Sequence, residues 1–151
     1  MTDIRKYITL VENAEKLDEG SRHKALQYIE NNAYILLLHC VKLVYMPDTD
    51  SSNHWKVEVK TFVNGMVKKN IRGKLKDTQV YELLTSDTLA IQVRNKMVNF
   101  IHENYGYVTI DVNDLVTIID GCSKILSGYI ANGSLIDYND IDEIISTFDY
   151  I

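Results

Sequence analysis

One stretch constrains this chain more than any other. From about Arg22 to Tyr45 the apolar residues Ala25, Leu26, Ile29, Ala33, Leu36, Leu37, Cys40 and Leu43 recur at helical spacing. Tyr34, Ile35, Leu38 and Val41 widen that stripe. The period is that of an α-helix, not of a strand. A helix apolar on most of its circumference belongs at the centre of a bundle. Pro47, in the polar run from Met46 to Asn53, ends it. A chain of 151 residues builds one such core. The expected fold is therefore mainly α, a single domain over residues 1–151 organised around helix 22–45.

The flanking segments read as further helices. Ile4, Tyr7, Ile8, Val11, Ala14 and Leu17 form one amphipathic face. Asp18-Glu19-Gly20-Ser21 is expected to end that helix, with Ser21 capping the next. Asp77 or Thr78 caps a short turn, and Ser86 or Asp87 a helix to about Asn104. Residues 107–110 are a brief extended candidate. Asp111 caps a helix that Asn132-Gly133 ends, and a last helix begins near Asn139.

Residues 55–75 support two readings. Trp55, Val59, Phe62 and Met66 share one helical face, with Gly65 as a C-terminal stop. Trp55, Val57, Val59, Thr61 and Val63 also alternate, and Asn64-Gly65 is a strong hairpin signal. That second reading makes the fold α+β, with a small antiparallel hairpin at 55–75. Its second strand does not continue the apolar face, because Val59 would oppose Asn70 and Val57 would oppose Arg72.

Residues able to carry chemistry are sparse. His23, His39, His54 and His102 make no HExxH or HxxxH pair, so no metal site is expected. His39 lies in an apolar helix and reads as a core histidine satisfied by one hydrogen bond. Cys40 and Cys122 fall on apolar stripes and read as inert thiols without CxxC spacing. No glycine-rich loop cradles a phosphate, and Asp137, Asn139 and Asp140 lack the rest of a calcium loop. The expectation is no enzyme and no cofactor.

Charge is the more informative pattern. Residues 56–76 hold Lys56, Lys60, Lys68, Lys69, Arg72, Lys74 and Lys76 against Glu58 alone. Residues 111–151 hold eight Asp and Glu against Lys124. Either these are solvated faces, or the two regions attract each other within one fold, or each meets a partner of opposite sign. The expected function is a small protein-binding module, a bacterial or phage-encoded inhibitor, immunity or accessory protein. Its acidic end would offer Asp137, Tyr138, Asp140, Asp142, Glu143, Asp149 and Tyr150 to a basic surface. The competing expectation is a nucleic-acid-binding protein that uses the seven cations of 56–76. The net charge of −5 opposes long-range attraction to phosphates. With no signal peptide and no apolar run long enough for a bilayer, the expected location is the cytoplasm.

The run from Leu36 to Pro47, followed by Trp55, resembles a helical bacterial family known only as a domain of unknown function. His39, Lys42, Tyr45, Pro47 and Trp55 carry the resemblance. It implies helix for residues 55–63 and brings no catalytic residues.

Overall fold

The computed structural model describes the backbone of residues 4–106 and 109–151, and the side chains of residues 20–106 and 109–151. Among the described residues six helices follow one another: α1 (Ile4–Tyr45), α2 (Ser52–Gly73), α3 (Asp77–Leu84), α4 (Asp87–Asn104), α5 (Val112–Ala131) and α6 (Tyr138–Ser146). The fold is a mainly α bundle. None of the described helices is long and apolar enough to cross a membrane.

The expected stripe is the core. Ala25, Ile29, Leu36, Val41 and Leu43 are fully enclosed, and Leu37 nearly so. The break expected at Asp18–Ser21 is absent, because α1 runs through it as one helix of 42 residues. A single glycine costs a helix only about 1 kcal/mol relative to alanine, and no proline stands there to stop propagation. The apolar face from Ile4 to Leu17 lies outside the described side chains, and residues 107 and 108 of the extended candidate lie outside the described residues; its other two, Thr109 and Ile110, belong to no strand.

The hairpin at 55–75 does not form. These residues belong to α2, whose buried face is Trp55, Val59, Val63, Met66, Val67 and Asn70. Gly65 does not stop the helix either. Both members of the hairpin dipeptide have long-range roles instead. The Asn64 amide brackets one residue of the loop before α6: its Nδ2 donates to the Ile136 carbonyl (3.0 Å) and its Oδ1 accepts from the Ile136 N–H (2.8 Å). Gly65 faces Tyr28, and a Cβ there would collide with that ring.

Short connections set α1 and α2 antiparallel. Lys42 meets Trp55 near the Pro47 turn, and the far end of α2 closes on Ala25, where a Cβ on Gly73 would approach to 2.5 Å. Ser52 ties the turn, donating from Oγ to the Met46 carbonyl (2.7 Å) and accepting from the Thr49 N–H (2.7 Å). The caps on the later helices are local. Ser86 accepts from Leu89 N–H, Asp111 from Asp114 N–H, and Asp137 and Asp140 form a reciprocal capping box on α6.

Candidate functional site

The densest polar constellation lies beside the α1–α2 turn. Helical spacing places His39 and Lys42 on one face of α1, and His54 and Glu58 on one face of α2. Antiparallel packing brings the two pairs together. His54 Nε2 lies 2.8 Å from Glu58 Oε1, and His39 Nδ1 lies 2.6 Å from Oε2. His39 Nδ1 makes no aligned hydrogen bond, so the contact is a close approach of ring nitrogen and carboxylate oxygen. His39 is thus not the singly satisfied core histidine that its apolar helix suggests. It sits at the edge of the core against a carboxylate shared with a second, exposed imidazole.

Burial lowers the His39 pKa most strongly. Glu58 pulls it upward, while the Lys42 and His54 charges push it further down. Lys42 is only 8% exposed and has no carboxylate at ion-pair distance among the described residues. Its Nζ lies 4.0 Å from the Phe100 ring centroid and 5.4 Å from that of Trp55. The rings themselves meet edge to face at 6.0 Å. Burial first, then the charge of Lys96 on α4, lowers its pKa, and Glu58 opposes them. Aromatic faces thus compensate part of the desolvation of an enclosed ammonium. Of the five residues that carry the sequence resemblance, His39, Lys42 and Trp55 meet here. Tyr45 lies instead by the start of α5, where burial, then Asp114 and Asp111, push its phenol up to about 12.

Chemically the arrangement holds a carboxylate between a half-buried and an exposed imidazole. Among the described residues no group of three His, Cys, Asp or Glu is disposed to hold a metal. Both Glu58 oxygens face imidazole nitrogens instead. The two cysteines are free and buried, and Cys40 together with burial pushes the Cys122 thiol well up, which suits inert core groups. His54 and Glu58 stand one helical turn apart in the sequence. Nothing local signals that His39 completes the set.

The two charged regions are partly spent on each other. Lys56 pairs with Asp142 at 3.2 Å, and Lys60 Nζ lies 4.7 Å over the Tyr138 ring. Asp137 and Asp140 cap α6, which leaves Glu143, Asp149 and Tyr150 as the exposed remainder of the acidic set. Lys68, Lys69, Arg72, Lys74 and Lys76 all remain exposed at the far end of α2.

Sequence reasoning passed over one other feature. A groove of about 500 Å³ runs between α4 and α5, floored by Ala90 and Ile119. Ile91 on one wall is 47% exposed, and Val116 on the other is 48% exposed. Asp87 and Arg94, two turns apart on α4, mark its charged ends, and Asp120 on α5 is paired with Lys124 at 2.8 Å. Alternate exposed apolar residues in otherwise polar helix faces are the signal that could have found it. No protein-family model, curated protein or solved structure matches this chain.

Proposed function

We propose that the protein is a small non-enzymatic protein-binding module that docks its partner in the α4–α5 groove. The observation that carries the reading is the pair of half-exposed apolar walls, Ile91 and Val116, over a floor already packed as core. Apolar side chains gathered in a concave strip are what a partner helix covers when it supplies its own apolar stripe. The charged ends specify that helix further. Asp87 and Arg94 stand seven residues apart, about 10 Å along α4. The complementary segment carries a basic and an acidic residue two turns apart, with an apolar residue between them.

The acidic C-terminal residues contribute less to this reading than their number suggests, since α6 capping and Lys56 occupy several of them. The two-histidine cluster is the feature that would speak for catalysis. Against that role, Glu58 already faces an imidazole with each oxygen, and the groove residues do not include it. Pull-down with the intact protein tests the proposal when wild type is run beside an Ile91→Asp/Val116→Asp variant. A stoichiometric protein recovered by wild type and lost by the variant, at unchanged circular dichroism, supports it. A partner retained equally by both removes the groove from the account.

A further inference from the structure

The sequence shows a basic run from Lys56 to Lys76, but the fold cuts that run in two and extends one half with residues from elsewhere. Lys56 and Lys60 turn toward α6. The other end of α2 packs against α1 at Ser21, Arg22 and Ala25, through the bare backbone of Gly73. Arg22 Nε donates to the Gly73 carbonyl at 3.4 Å, and Lys69 Nζ lies 6.0 Å from the Tyr28 ring centroid. These contacts bring the segment of α1 that carries Arg22 and Lys24 against the end of α2 that carries Lys68, Lys69 and Arg72. Lys74, in the left-handed conformation that ends α2, and Lys76, the N-cap of α3, continue the same end. Residues 20–29 and 65–81 together hold seven Lys and Arg against one carboxylate, Asp77, with Asp18, Glu19, Glu30 and Glu82 bounding the two stretches. None of the seven makes an ion pair among the described residues.

We propose that this end of the α1–α2 hairpin, from Arg22 and Lys24 across to Lys68–Lys76, binds the phosphate backbone of nucleic acid. The composition of the patch selects that ligand. Protein interfaces are centred on buried aromatic or aliphatic anchors and are poor in lysine. An amphipathic lipid-binding surface needs an apolar face to bury. Across these two stretches the exposed large apolar side chains are two, Ile71 and Tyr81. Backbone recognition needs cations and no apolar anchor, and it reads no base sequence. The overall charge of −5 does not forbid it. Charges beyond about 10 Å are screened at moderate salt, so the local patch governs contact.

The patch differs from the linear basic run in its membership, and that difference is testable. Fluorescence anisotropy is read with a labelled duplex, and with one of its single strands, at low salt and across a salt series. About five phosphate contacts give a log–log salt slope near −4.5 on duplex, and a shallower one on the single strand. Lys24→Glu should weaken binding roughly tenfold, comparable to Lys68→Glu, although it lies outside the basic run. Lys56→Glu should leave affinity within about twofold. Lys24 is exposed, so its variant tests charge without disturbing the Arg22 contact with Gly73. Ile91→Asp should leave duplex affinity unchanged, which separates this surface from the α4–α5 groove. Lack of binding to either strand form at low salt overturns the proposal. So does Lys56→Glu weakening binding as much as Lys24→Glu. Binding to poly-glutamate or to vesicles containing phosphatidylserine, with none to nucleic acid, assigns the patch to another ligand and also overturns it.

Discussion

The two halves of α2 are both basic in sequence and meet opposite fates in the fold. Lys56 and Lys60, in the first half, are met by Asp142 and the Tyr138 ring from α6. Lys68, Lys69 and Arg72, in the last turns, meet no carboxylate at ion-pair distance among the described residues, and they gain cationic neighbours from α1. Charge along a chain therefore does not translate directly into charge on a surface. Packing decides which part is neutralised, and here the deciding element is a nine-residue helix that buries Ile141 and Ile144 and whose preceding loop is held by Asn64.

Breaking the frame on which both halves rest has the largest effect. Leu37→Ala removes a side chain only 1% exposed and should cost about 2–5 kcal/mol in urea unfolding. A loss under about half a kcal/mol would take α1 out of the core. Next comes the contact that separates the two halves. Asn64→Ala leaves the Ile136 N–H and carbonyl without their partner and should cost about 1–3 kcal/mol. Amide exchange should accelerate first in α6 while α1 stays protected; uniform acceleration would mean that α6 is not a separate docking unit.

A pH titration gives a smaller effect and probes the turn end of the hairpin. His39 has its folded pKa lowered, chiefly by burial, so the unfolded chain binds the proton more tightly. Stability should fall as pH drops below about 6.5 and go on falling until the folded pKa is passed. His39→Gln should flatten that part of the profile, and an unchanged profile would contradict the assigned burial. The smallest effect belongs to the pair that defines the neutralised half. A double-mutant cycle on Lys56 and Asp142 should return about 0.2–1 kcal/mol of coupling, since the carboxylate is 60% exposed. Coupling indistinguishable from zero at low salt would make the contact incidental.

What the sequence reveals and what it hides follow the range of the interactions. The core stripe of α1 is legible because 3.6-residue periodicity is a local property and its burial needs no knowledge of the partner. The missing break at Gly20 is a local stop signal overruled by cheap continuation of the helix. Asn64-Gly65 reads as a hairpin for sound local reasons. It forms a helix because Gly65 is needed against Tyr28 and Asn64 bonds to a residue 72 positions later. The His54–Glu58 half of the polar cluster is visible once α2 is a helix. His39 joins it only through the antiparallel pairing of α1 and α2, which no spacing encodes. Arg22 and Lys24 are hidden from the basic run in the same way.

Lysine acetylation followed residue by residue with mass spectrometry tests the contrast between the halves of α2 most directly, because one native protein reports on all its amines at once. Lys24, Lys68, Lys69, Lys74 and Lys76 should react fast. Lys56 and Lys60 should react several-fold more slowly, and Lys42, enclosed by Trp55 and Phe100, slowest of all. Lys56 and Lys60 reacting as fast as Lys68 would contradict the account, because α6 would then not be shielding the first half of α2.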